Sequence, residues 1–233
     1  AGVDWIVHAD LATDRDLEAV AKAGMPILPT ATFLWVVIDL GNRIGPENVQ
    51  LDHSRMMRHY ESLGKLMHKC RELGIHIIHI HKGPTTHPLD YDAFDVRDVD
   101  NVATSFPDLT FVVDHCGMPR IDDFCAVAGQ EPNVYGGLAL VTSFIRARPR
   151  HFKTMLIELL WGVGPDRLIF GSDYAITSPD WIIEAFMAFE LDEEDKTEAG
   201  HGLGLDAKRK VWGANAAKVD GVDADALLTL PPV

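Results

Sequence analysis

The feature that most constrains this chain is an alternation repeated along it: a short run of bulky apolar residues, then a stretch with helical spacing. The runs "IHIIHIH" (75–81), "LTFVVDH" (109–115), "NVYGGLALV" (133–141) and "RLIFGSDY" (167–174) read as strands, as do "VDWIVHA" (3–9) and the start of "PILPTATFLWVVIDL" (26–40). Between them the spacing predicts helices. One follows Thr13 as N-cap and stops at Gly24; another covers 54–73, with Met56, Tyr60, Leu63, Met67 and Cys70 on one face. Further helices are expected over 98–106, near 120–128, over 149–161, after Ser178-Pro179 and over 205–219, with a polar loop at 194–202. Strands apolar on both faces, each followed by a helix, imply a parallel sheet covered by helices.

About six strands can be counted, whereas a complete eight-stranded barrel usually needs about 250 residues. The expected fold class is therefore α/β, with a TIM-like (β/α) barrel of about six recognisable strands as one candidate, formed by a single domain over residues 1–233. An open doubly wound sheet is the alternative, weakened by the lack of a glycine-rich dinucleotide or phosphate loop.

A net charge of −14 argues against nucleic acid or an anionic membrane surface as a partner. No apolar run is long enough to span a bilayer, and no signal peptide is visible. Three cysteines, Cys70, Cys116 and Cys125, form no paired framework, so a cytoplasmic location is expected. The chain begins at Ala1 without an initiator methionine, close to a strand-like run, which is the expectation for a fragment or a processed product.

Three of the most apolar strands end on chemically capable residues: His79 and His81, then Asp114-His115, then Asp173. In parallel α/β folds the C-terminal strand ends form the active face. Imidazoles and carboxylates meeting there suit zinc or a similar divalent ion. Asp173 needs such a partner, or solvent, because burying an isolated carboxylate is costly. Residues two apart on a strand share a face, so His79 and His81 could both reach one ion while His76 points away. The blander reading of His79 and His81 is a pair of ordinary histidines, one of them packed and hydrogen-bonded, and that of His115 is a hydrogen bond to a backbone carbonyl; for Asp173 it is a salt bridge or a turn cap. His8 ends its strand in the same way but stands alone. His87, in "TTHPLD", could line a substrate mouth, and Cys116 reads as a small buried residue without the base that a nucleophile needs.

The segments "FPDLTFVVDHCGMPRIDDF", "EPNVYGGLALV", "VGPDRLIFGSDYA" and "GANAAKV" resemble the amidohydrolase superfamily, closest to its branch containing aminocarboxymuconate-semialdehyde decarboxylase. "IHIHKGPTTHPLDYDAFDVRDVDNVA" looks like amidohydrolase-related proteins found near bacterial di-iron alkane monooxygenases. Residues 1–70 look like a different branch, similar to imidazolonepropionase- and prolidase-like proteins at their later strands, with His8 matching a metal histidine. The resemblance implies that His81, His115 and Asp173 end the fifth, sixth and eighth barrel strands. It also implies that His81 and Asp173 bind a metal, that His115 is a ligand or polarises the reacting group, and that Asp173 takes a proton from water. The family's H-x-H pair on the first strand has no counterpart upstream. Either His79 or His8 stands in for it, a partner chain supplies it, or the site is incomplete.

The expectation is thus a hydrolase dependent on zinc or manganese, acting on a small amide, lactone or carboxylated molecule. His81, His79 and Asp173 are the candidate metal ligands, and Asp173 and His115 the candidate catalytic groups. The alternatives are a non-oxidative decarboxylase of the same superfamily and a non-catalytic accessory or assembly subunit. A homo-oligomer or a partner chain is expected, since an incomplete barrel leaves sheet edges to cover.

Overall fold

The computed structural model describes residues 6–7, 27–28, 64–84, 95–174 and 177–223, the first two segments by their backbone. Six strands, β1 (Ile6–Val7), β2 (Ile27–Leu28), β3 (Ile77–His81), β4 (Thr110–Asp114), β5 (Val134–Gly137) and β6 (Leu168–Ile169), form one sheet in chain order. Every neighbouring pair is parallel. Sequential order decides between the two candidate architectures. A doubly wound sheet reverses its order at a switch point, whereas a barrel wall adds strands in sequence. This sheet is a barrel wall; among the described residues β1 and β6 each have one strand neighbour.

The helices lie between and after the strands: α1 (64–72), α2 (Arg97–Ser105), α3 (Ile121–Gln130), α4 (Phe144–Ala147), α5 (Pro149–Gly162), α6 (Pro179–Ala188), α7 (Glu193–Ala199), α8 (Leu205–Arg209) and α9 (Asn215–Asp220). In a parallel ladder, directly opposed residues point to the same side. Ile78, Phe111 and Val134 are opposed in turn, as are Gly136 and Leu168. The side chains of Ile78, Phe111, Val134 and Leu168 are fully buried in one core with Phe124 of α3 and Phe152, Leu156 and Leu159 of α5. The other face carries Ile77, His79 and His81 beside Thr110, Val112 and Asp114, then Tyr135 and Gly137. Polar groups therefore gather on one face, at its C-terminal end.

At the opposite end, side-chain amides and a guanidinium hold backbone carbonyls at helix ends and turns. Asn133 Nδ2 donates to the carbonyls of Ala103, Phe106 and Leu109 at 3.2, 3.1 and 3.0 Å. Arg167 Nη1 donates to those of Ala128, Glu131 and Val134 at 2.6, 3.1 and 3.0 Å. Asn215, buried in the "GANAAKV" stretch, donates to Pro165 and Leu168 at 2.7 and 2.8 Å. These three clamps tie the lower rim of β4, β5 and β6 to the helices.

Four expectations change. The polar stretch 194–202 contains a helix, α7, because Asp192 and Asp195 form a reciprocal capping box and Gly200 ends it at φ 65°. The strand expected over 167–174 is confined to Leu168–Ile169, since the next N–H, that of Phe170, donates to Val211 at 2.9 Å instead of to the sheet. Val211 lies in a π-helical stretch, Lys210–Ala214, that interrupts the single helix expected over 205–219. Ser178 sits at the N-cap position of α6, but its hydroxyl donates to Asp180 rather than capping the helix. The expected helix after Thr13, the part of 54–73 before residue 64, and the side chains of His8, His53, His59 and His87 lie outside the described residues.

Candidate metal and catalytic site

β3 and β4 lie side by side with His81 opposite Asp114, so the residue after Asp114 is delivered beside His81. The His81 and His115 rings meet edge to face with centroids 4.5 Å apart. His81 Nδ1 stands 3.1 Å from His115 Nε2. The other His115 nitrogen, Nδ1, lies 3.0 Å from the Ala139 carbonyl, which can only accept, so Nδ1 carries the proton. In the neutral ring, Nε2 then carries the lone pair that faces His81. Two imidazole nitrogens bound to one tetrahedral zinc would stand about 3.3 Å apart, from the usual zinc–nitrogen length. The second-nitrogen contact to a carbonyl is also the usual support for a ligating histidine. The pair therefore fits a divalent ion in donor chemistry and spacing.

His79, on the same face, lies with its Nδ1 3.4 Å from Asp114 Oδ2. Asp173 is partly exposed, and its carbonyl accepts from the Thr177 N–H at 3.3 Å. Among the described residues no three His, Cys, Asp or Glu side chains are grouped to hold an ion. The structure thus brings His81 to His115 and His79 to Asp114, and it places Asp173 at the same end of the neighbouring strands.

Backbone conformation singles out this rim. The described non-glycine residues with positive φ are His115 (66°), Cys116 (51°), Leu140 (63°) and Asp173 (57°), all just beyond the C-terminal ends of β4, β5 and β6. Such conformations cost of order 1–3 kcal/mol each and gather where function over-determines the chain. Two of the four, His115 and Asp173, are the candidate catalytic groups.

Glycines make the room. A Cβ on Gly83 would fall 2.6 Å from His115 Cγ, and one on Gly137 would collide with the Asp114 carboxylate. Cys116 is fully buried, with its Sγ 3.3 Å from the Gly137 carbonyl, and burial pushes its thiol well above the ordinary range. It therefore has little thiolate with which to act as a nucleophile. Reading the sequence alone passes over the Ala139 carbonyl and the role of Asp114. The alternation of β4 does put Asp114 on the face of His79, but a backbone carbonyl has no side-chain signature.

Among the described residues no helix is long and apolar enough to cross a membrane. The family model described as Amidohydrolase matches residues 3–219. No curated protein matches the chain. Of solved structures, an uncharacterised TIM-barrel protein from Bordetella bronchiseptica superposes with TM-score 0.54 at 22% identity, covering 89% of this chain and 71% of that one. A protein of Lactobacillus casei ATCC 334, provisionally named a metal-dependent hydrolase, gives 0.54 at 14% identity, covering 89% and 58%. A dihydroxybenzoic acid decarboxylase from Polaromonas sp. JS666, with bound manganese and the inhibitor 2-nitroresorcinol, gives 0.51 at 16% identity, covering 95% and 68%. The chain thus spans roughly three fifths to seven tenths of these proteins' lengths, and they share its TIM-barrel fold. With the family match over nearly its whole length, the chain belongs to the amidohydrolase family.

Proposed function

We propose that the protein is a divalent-metal-dependent enzyme that hydrolyses a small amide, lactone or carboxylated substrate at the C-terminal rim of its strands. The observation that carries this reading is the His81–His115 nitrogen pair, with the His115 tautomer set by Ala139. His81 and Asp173 would hold the ion, with His79 as a further ligand, or with His115 in its place through the Nε2 lone pair. When bound, a divalent cation supplies Lewis acidity and water that ionises near neutral pH. Zinc and manganese both suit imidazole with carboxylate.

The chain's own groups do the rest. Asp173, at a strained and partly exposed position, accepts a proton from the attacking water at its carboxylate. His115 orients the substrate's reacting group through its Nε2 lone pair, and Asp173 passes the proton it took from water to the leaving group. Asp114 holds His79 in place from the neighbouring strand. The same rim would serve a non-oxidative decarboxylase, a reading supported by the fold shared with the Polaromonas enzyme.

Metal content of protein purified without added metal, measured for the wild type and for Asp173→Asn and His81→Ala, tests the reading. About one equivalent in the wild type and a marked loss in the variants is the expected result. Equal content in all three, or copurification with a larger partner and no metal, would favour a non-catalytic accessory subunit. Release of carbon dioxide from aromatic acids without hydrolysis of amides or lactones would identify the decarboxylase.

A further inference from the structure

The chain leaves β5 through residues whose backbone is unusual. Leu140 adopts φ 63° and ψ −41°, and the Val141 N–H donates to the Ala139 carbonyl at 2.7 Å. A bond between residues two apart, around a centre of that conformation, is a γ-turn of the rarer, strained hand. A leucine side chain there has to be held in place by its surroundings, and Leu140 packs against the hydrophobic core.

Further contacts fix the turn. The hydroxyl of Thr142, fully buried, donates to the Gly171 carbonyl at 2.9 Å, and the Leu138 N–H donates to Ile169 at 2.8 Å. Gly171, two residues before Asp173, lies so close that a Cβ on it would meet Ala139 N and Cβ at 2.9 Å. What the turn presents is the Ala139 carbonyl, which takes the Val141 N–H on one side and His115 Nδ1–H on the other.

We infer that the Ala139–Thr142 turn is a positioning device for His115, in which Leu140 and Thr142 aim the Ala139 carbonyl so that the ring proton stays on Nδ1 and the Nε2 lone pair faces His81. The consequence for chemistry rests on the proposed function; the tautomer itself does not. Thr142 also ties the turn to the strand end that leads to Asp173, so one buried hydroxyl keeps both candidate catalytic residues in register. Leu140 and Thr142 are positioning residues and touch no reacting atom.

The test uses the full chain labelled with 15N-histidine, without metal, at a pH of about 9, where imidazoles are ordinarily neutral. Long-range proton–nitrogen correlations report which ring nitrogen carries the proton, and His115→Gln assigns the signal. The wild type is expected to hold His115 as the Nδ1–H form, Thr142→Val to lose that preference, and Thr142→Ser to keep it. Leu140→Gly, whose backbone accepts the positive φ but which gives up the leucine's packing against the core, keeps the experiment decisive if Thr142→Val fails to fold, and with the turn no longer anchored it too should lose the preference. A wild-type proton on Nε2, or a folded Thr142→Val or Leu140→Gly with an unchanged tautomer, would overturn the inference. A zinc titration of the same proteins separates it from the functional reading. Zinc affinity should fall about tenfold in Thr142→Val, as for other lost supports of a ligand. If the tautomer shifts as expected and no protein binds zinc, the turn keeps its role and the metal reading fails.

Discussion

Gly83 lies against the His115 imidazole so closely that its missing side chain is part of the site: a Cβ there would stand 2.6 Å from Cγ and 2.8 Å from Cβ of the histidine. Gly83 follows β3 and His115 follows β4, so the contact crosses between neighbouring strands. The obstacle is a ring anchored by Ala139 and facing His81, and it has little freedom to move aside.

Gly83→Ala is therefore expected to rotate or displace His115 while leaving the helices intact. Metal affinity should drop between about tenfold and a hundredfold, the usual effect of disturbing a ligand's support. Zinc titration beside far-ultraviolet circular dichroism checks this. Unchanged affinity in a well-folded variant would show that the His115 ring tolerates displacement.

The rim clamps predict a stability effect remote from any chemistry. Asn133→Ala removes three hydrogen bonds to backbone carbonyls, of which that of Phe106 keeps the Leu109 N–H. With each unmade bond costing about 1 kcal/mol, and part of the loss recovered by water, the expected destabilisation is about 2–3 kcal/mol. Urea unfolding should show it as a lower midpoint with the slope kept. Metal content should not change.

The cysteines should be inert in the native state. Burial pushes Cys70 up to about 11 and Cys125 up to about 12, and Cys116 also well above the ordinary range. At pH 8 each thiolate is scarce, so a thiol-reactive chromophore should titrate slowly before denaturation and react with three groups after it. A fast native reaction would place one sulfur in a more polar setting.

Asp95 supplies a pH dependence whose sign can be worked out. The Arg97 side chain, bonded to the carboxylate with Nε at 2.7 Å, holds Asp95 below the usual carboxylate range. A folded-state pKa that is depressed stabilises the fold above the unfolded value, near 4, and that contribution is lost as pH falls through the folded value. Arg97 is largely exposed, so the effect should stay under about 1 kcal/mol. Asp95→Asn should be less stable than the wild type at pH 7, with the gap narrowed at pH 3. An equal gap at both pH values would assign the loss to packing.

Hydrophobic patterning and strand-end chemistry were readable from the chain alone. β3 and β4 lie where "IHIIHIH" and "LTFVVDH" place them, and His81, Asp114 and His115 fall at their ends, because strand periodicity and the switch to polar residues are local properties. The parallel α/β class followed from the same local signal. What the tertiary structure alone decided depends on which strand lies beside which. The chain-order sheet separates a barrel wall from a doubly wound sheet. His81 meets His115 across 34 residues of sequence, and His79 turns to Asp114 across the β3–β4 register. The Ala139 carbonyl that sets the His115 tautomer lies just beyond the end of a third strand, β5. Ring orientation, register and a backbone acceptor arise only when separate segments pack, so no residue pattern within one segment encodes them.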